Sequence, residues 1–288
     1  MKIAVIGARG QYGFDIAREL EKEHEIIRFT TDEIDVSKFN TLSAISEIKP
    51  NVIVNTAAFF PAERSEDNPE TSFAINAIGA YNITKMANSV DAVNVYISSD
   101  FVFNGNKGSM YTEEDSTCPV NTYGISKVAG EAYTMLSTKF YIIRSASMFG
   151  IAGTRVKNGS NFVESIITKA QNNESINMVS DITMSPTYTK HASSAIAKLI
   201  SLKAPYGIYN IVNTGSVNWY EFTKYLLESL DIPTDKLHPI KSELQNLKMK
   251  RPLFTALMND KLESLGIKMP TWQVALREYL VEKEHLKV

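Results

Sequence analysis

The chain has 288 residues, 44% hydrophobic and 22% charged, with a formal net charge of −2; this suffices for a full core and gives no general attraction to nucleic acid. No run of 18 apolar residues is present, and the apolar start, Met1–Gly7, is short and lacks a cleavage site, so neither a membrane span nor a secretory leader is expected and a cytoplasmic location is. Cys118 is the single cysteine and His24, His191, His238 and His285 are scattered, which excludes an internal disulfide, offers no zinc-ligand spacing and gives no expectation of a metal site.

In chain order, Ile3–Ile6 reads as a buried strand, Tyr12–Glu23 as a helix and Glu25–Phe29 as a second strand. A helix over Thr41–Ile48 stops before Pro50, and Val52–Asn55 is a third strand. Ala74–Ala87 is helical, Val93–Ile97 a fourth strand, Tyr123–Leu136 helical and Phe140–Arg144 a fifth strand. Short, continuously apolar strands alternating with helices imply parallel pairing covered on both faces, an α/β fold with a doubly wound, Rossmann-like sheet. After Gly150 comes a polar loop, Ile151–Ser160. It is followed by helices at Phe162–Gln171, Ala192–Leu202, Trp219–Leu230 and Trp272–Val281, with a short strand at Gly207–Val212. Residues 1–150 are thus expected to be the dinucleotide-binding region, and 151–288 mainly a smaller substrate-binding lobe packed on it.

In such sheets ligands bind beyond the carboxyl ends of the strands. The first strand runs into Gly7-Ala-Arg-Gly-Gln-Tyr-Gly13 and then a helix. Glycines there let a pyrophosphate reach the backbone, and the helix N-terminus supplies amides, so Gly7, Arg9, Gly10, Gln11, Tyr12 and Gly13 are cofactor candidates. At the second strand, Arg28 joins Arg9 as a candidate for a 2′-phosphate, favouring NADP(H); Asp32 and Asp35 keep NAD(H) open. The small residues of Asn55-Thr-Ala-Ala58 leave room for a flat cofactor, marking Asn55, Ala57 and Ala58. The fourth strand delivers Ser98 or Ser99 to the sheet edge. Tyr123 and Lys127, four apart, share a helix face. An ammonium roughly 5 Å from the phenol is expected to favour phenolate by about 3 kcal/mol, moving the tyrosine toward a pKa of ~8.

With these pieces in order, the sequence resembles the extended short-chain dehydrogenase/reductase superfamily. Asn55–Phe59, Ile97–Phe103, Asp181–Thr187, Tyr206–Tyr209, Trp219–Phe222 and Arg251-Pro252 narrow the resemblance to the dTDP-4-dehydrorhamnose reductase family. The resemblance implies that Tyr123 protonates the ketone oxygen of a nucleotide-sugar substrate, that Lys127 tunes Tyr123 and binds the nicotinamide ribose, and that Ser99 hydrogen-bonds the same oxygen with Asp100 beside it. It also implies substrate roles for Phe101, Asn161 and Arg251, leaves a homodimer open, and leaves magnesium undecided. Three departures fall on the substrate side: Ser147 replaces a family tryptophan, the loop Gly150–Ser160 is longer, and Phe59–Glu63 replaces a Tyr-Thr-x-Val-Asp segment. Reduction of a nucleotide-linked 4-keto-deoxysugar is the expected activity. An epimerase or dehydratase on the same scaffold, or a non-catalytic cofactor-binding regulatory subunit, is the alternative.

Overall fold

A computed structural model describes residues 1–153, 159–245 and 247–287. Its centre is a six-stranded parallel sheet. The strands are β1 (Lys2–Ile6), β2 (Glu25–Phe29), β3 (Val52–Asn55), β4 (Val93–Ser99) and β5 (Phe140–Ser145), joined by Gly207–Asn210 from much later in the chain. The helices between the first five are α1 (Gln11–Leu20), α2 (Ser43–Ile48), α3 (Pro69–Phe73), α4 (Gly79–Ser89) and α5 (Thr122–Thr134). The spatial order is β2-β1-β3-β4-β5 and then the late strand. The chain therefore reverses direction across the sheet between β1 and β3, and the crevice of such a fold opens there.

Alternation within each strand builds two cores. Ile3 and Val5 of β1, Val95 and Ile97 of β4, and Tyr141 and Ile143 of β5 face α1 and the later helix Thr189–Ser201. Ala4, Ile6 and Ile53 face α2 and α4, while Tyr96 and Ile142 lie under α4 and α5. Burial on both faces explains why these strands show no polar alternation.

Two sequence expectations shift here. The fourth strand continues past Ile97 to Ser99, because Ser98 and Ser99 stay in register with Arg144 and Ser145 of β5. The helix expected at Ala74–Ala87 starts earlier, at Pro69, and widens into a π-helical turn over Ala74–Ile78 before α4. At that turn the buried Asn76 accepts from the Phe59 amide at 2.9 Å and donates to Ser126 of α5 at 2.9 Å.

Beyond β5 the chain adds β6 (Met148–Phe149), α6 (Phe162–Gln171), β7 (Ile176–Val179), β8 (Thr183–Met184) and β9 (Thr187–Tyr188). It then returns to the sheet as α7 (Thr189–Ser201), packed beside α1, and β10 (Gly207–Asn210), paired with β5. After that come β11 (Val217–Asn218), α8 (Trp219–Ser229), β12 (Leu237–Ile240), α9 (Asp260–Ser264) and α10 (Trp272–Glu282). The lobe has its own core, in which Phe149, Tyr188, Phe222, Trp272 and Tyr279 pack together. Leu262 of α9 belongs instead to the sheet core. The segment after residue 150 thus contributes to both cores.

Candidate active site

The glycine turn is built for a close backbone approach. Gly7 has φ +79°, and its amide and that of Ala8 both donate to the Phe29 carbonyl, tying the turn to the tip of β2. Gly10 begins α1 with no side-chain cap and no acidic residue in the first turn. Its first amides therefore lack an intrahelical acceptor and face the crevice at the positive end of the helix dipole. That donor set suits a pyrophosphate. The side chains of the next two residues point elsewhere. Gln11 Nε2 donates to the Met148 carbonyl at 3.0 Å, and Tyr12 lies in the sheet core with its hydroxyl 3.2 Å from Ser145 Oγ. The Gln11 amide nitrogen and the Tyr12 hydroxyl are thus engaged by the segment that follows β5 and by the last residue of β5.

The two arginines separate. Arg9, exposed on the turn, pairs with Asp32 at 2.8 Å. Arg28 pairs with Glu21, at the far end of α1, in a contact open to solvent. Asp35 is engaged locally by Ser37 and Lys38, and its carboxyl is held below the usual range chiefly by the Ser37 hydrogen bond. Asn55 Oδ1 accepts from the Ala57 amide at 3.1 Å, which shapes the end of β3, and Ala58 is exposed beyond it.

Two strands away from Gly7, roughly 10 Å across the sheet, β4 ends at Ser99. Ser99 Oγ caps the following turn by accepting from the Phe101 amide at 3.2 Å and donates to Asp100 Oδ1 at 3.0 Å. Helix α5 starts where it does because Asn121 caps it at 2.8 Å and Glu66 accepts from both the amide and the hydroxyl of Thr122, at 2.8 and 2.9 Å. This places the Tyr123 hydroxyl in a hydrogen bond with Ser99, while the edge of Phe101 packs on the Tyr123 ring at 6.0 Å. Lys127 is 1% exposed, donates to the Ile97 carbonyl at 2.5 Å and sits 4.2 Å above the Tyr96 ring.

The electrostatics correct the expectation of an acidified tyrosine. Burial raises the Tyr123 phenol above its ordinary value, and the Asp100 charge adds to this. Burial also pushes Lys127 down to about 7. In the cofactor-free protein, desolvation outweighs the attraction expected from the four-residue spacing. Tyr123 therefore keeps its proton at neutral pH, as a proton donor must.

Sequence reasoning missed Thr255. It stands 155 positions from Asp100, on an extended segment tied to β8 by Thr255 N to the Thr183 carbonyl at 2.9 Å, and no local pattern signals it. Its hydroxyl donates to Asp100 Oδ2 at 2.5 Å. Ser99, Asp100 and Thr255 thus form one buried chain of hydrogen bonds, with Tyr123 at its Ser99 end.

Burial pushes the Asp100 carboxyl up to about 6, against hydrogen bonds from Thr255 and Ser99 that pull it down. A folded pKa above the unfolded value means that this stability contribution is complete below about pH 4 and is lost as pH rises through 6, a swing of roughly 3 kcal/mol. Asp100→Asn is expected to remove that swing. Relative to the wild type, the variant should gain on the order of 3 kcal/mol between about pH 4 and pH 7.5 in urea unfolding. A difference that stays constant with pH would rule Asp100 out as the source.

On the substrate side, Arg251 is engaged by Glu63, next to the α5 N-terminus, where Asn121 Nδ2 donates to the Lys250 carbonyl at 2.9 Å. Asn161, a substrate candidate from the resemblance, is a structural cap in this structure. It is 3% exposed and caps α6, accepting from Glu164 N at 3.1 Å and donating to the Gly150 carbonyl and the Tyr279 hydroxyl. Its side chain is fully used in joining the loop, α6 and α10. Residues 154–158 of the loop Gly150–Ser160 lie outside the described residues. Among the described residues no group of His, Cys, Asp and Glu could hold a metal, and no helix is long and apolar enough to cross a membrane.

The chain is 35% identical to the spore coat polysaccharide biosynthesis protein SpsK of Bacillus subtilis, over 98% of each chain. It is 29% identical to a dTDP-4-dehydrorhamnose reductase of Escherichia coli, again over 98% of each. A crystal structure of dTDP-4-dehydrorhamnose reductase from Bacillus anthracis in complex with NADP superposes with a TM-score of 0.92 at 32% identity, covering 98% of this chain and 99% of that one. A Clostridium acetobutylicum orthologue gives 0.93 at 32% identity, over 99% and 100%. The model of the family described as RmlD substrate binding domain matches residues 1–285, and the chain belongs to that family.

Proposed function

We propose that the chain is an NADP(H)-dependent reductase of the 4-keto group of a nucleotide-linked deoxysugar, of the dTDP-4-dehydrorhamnose type. The observation that carries this reading is the placement of Ser99, Tyr123 and Lys127 at the end of β4, across the crevice from the uncapped glycine turn. NADPH, when bound, supplies the hydride. The protein's part is the proton. The ketone oxygen takes a hydrogen bond from Tyr123, and one from Ser99 once that hydroxyl turns its single hydrogen away from Asp100; Tyr123 donates its proton to that oxygen as negative charge develops there. Lys127 opposes the charge left on the phenol, and Asp100 fixes Ser99 from behind. Phe101 walls the side of the ketone. Arg251, now holding Glu63, supplies a positive charge for the diphosphate.

Arg9 supports NADPH over NADH. Its pair with Asp32 is solvent-exposed, worth about 0–1 kcal/mol, and a doubly charged 2′-phosphate outcompetes it. The test is cofactor oxidation with dTDP-4-keto-6-deoxyhexoses, together with dissociation constants for both cofactors at fixed salt. Turnover is expected, with NADPH bound at least about tenfold more tightly and Arg9→Ala erasing most of that gap. Absence of turnover across the panel would overturn the reductase reading, and equal affinities would overturn the NADPH assignment.

A further inference from the structure

Helix α5 carries not two but three polar groups on one face, Tyr123, Lys127 and Glu131, each one helical step of four from the last, and the latter two are buried. The chemistry above uses the first two. Glu131 is 2% exposed and heavily engaged. Its carboxylate accepts from Arg144 Nε at 2.9 Å, Arg144 Nη2 at 2.7 Å and Ser98 Oγ at 2.5 Å. Arg144 comes from β5 and lies 5.1 Å over the Phe103 ring, and Ser98 stands opposite it on β4. A buried ion pair of this kind is poor value for stability, because apolar residues of similar volume do as well or better. Its position one turn beyond Lys127 supplies another reason for it.

The groups that face Lys127 are few. β4 presents the Ile97 carbonyl and the Tyr96 ring, and α5 presents Glu131. Asp100, after β4, acts on Tyr123, and Arg144 of β5 is bound to Glu131. Desolvation works against the Lys127 charge, and Glu131 is the group that opposes it.

We propose that Glu131, clamped by Arg144 and Ser98, is the positioning residue that keeps the Lys127 ammonium charged and aimed beside Tyr123. The clamp fixes the carboxylate rotamer, so α5 holds the lysine between a fixed anion on one side and the phenol on the other. This inference rests on the reductase reading for its purpose, but its physical content concerns Lys127 alone.

The experiment follows Lys127 directly, by NMR titration of cofactor-free protein labelled at lysine Cε, with Lys127→Met assigning the signal. Glu131→Gln is expected to lower the titration midpoint by at least about one pH unit. Because that change strands a buried Arg144, the paired variant Glu131→Gln/Arg144→Met is titrated beside it and should move the same way. Glu131→Asp should restore most of the shift, and the alkaline limb of the kcat/KM profile should follow the midpoint in each folded variant. A wild-type midpoint in the paired variant would overturn the proposal and leave Glu131 a purely structural residue. The titration requires no turnover, so a failure of the reductase reading in the activity assay is seen separately from a failure here.

Discussion

Tyr123→Phe is expected to lower kcat by about 10²–10⁴-fold, the range contributed by a general acid, while leaving the cofactor dissociation constant within about twofold of wild type. The substitution removes one hydroxyl. The ring keeps its edge contact with Phe101, and Ser99 keeps Asp100 as a hydrogen-bond partner, so the fold loses little. Cofactor affinity rests on the glycine turn and Lys127, which the change does not touch. Ser99→Ala should cost less, because it deletes a hydrogen bond to the ketone oxygen and not the proton itself. Assayed with a substrate that the wild type reduces, near-wild-type turnover by Tyr123→Phe would mean that the proton comes from another group.

Gly13→Ala is expected to weaken cofactor binding at least about tenfold and to destabilise the fold by about 1–3 kcal/mol, as overpacking does. A Cβ at Gly13 would stand 2.3 Å from the Gly7 carbonyl oxygen, 2.8 Å from the Gly7 carbonyl carbon and 2.8 Å from Thr56 Oγ1. These neighbours cannot yield. Two are backbone, and Thr56 Oγ1 is itself bonded to the Ile6 carbonyl at 2.7 Å. The first turn of α1 must lift off β1, which moves the amides that face the crevice. Gly10→Ala separates the two effects, since its Cβ meets only the Gly7 oxygen, at 3.2 Å. That variant should melt close to the wild type yet lose cofactor, because the added methyl rises toward the ligand. Melting temperatures and NADPH dissociation constants of the two variants decide the matter. Wild-type affinity in Gly13→Ala would remove the turn from the cofactor site.

The inner strands of the sheet could be read from the sequence because they are short apolar runs buried on both faces, as Val52–Asn55 illustrates, and the edge strand Glu25–Phe29, largely open to solvent, followed from its place between two helical patterns. The two-residue strands β6, β8, β9 and β11 could not, since pairs of that length carry no periodicity. The Tyr123–Lys127 spacing and the glycine turn were legible because helix geometry and turn geometry fix them locally. What the spacing could not convey was desolvation, which depends on what covers the helix, and so the direction of the Tyr123 shift was misread. The Arg28 pairing could not be read for a related reason: a strand position says where the Cα lies, and only the folded chain brings Glu21 beside the guanidinium. Asn161 presented a polar residue before a helix. Its role as a cap is legible from that position, because an asparagine just before a helix satisfies an otherwise unpaired amide of the first turn. Thr255 and the Glu131–Arg144 clamp join distant segments, and only the folded chain brings them together.

The double passage of the chain between sheet and lobe bears on how such enzymes can be recombined. Nature and the laboratory both exchange specificity by joining the front of one gene to the back of another. Here a single junction near residue 150 would import a foreign α7 against the resident α1, and a foreign β10 against the resident β5. It would also replace the partner that Asp100 has in Thr255. Grafts that respect the packing need several junctions: the host keeps α7, β10 and α9, and the donor supplies the segments that build the aromatic core around Phe149 and Trp272. Hybrids made with one cut should be recovered mainly from parents whose α1–α7 seams already match.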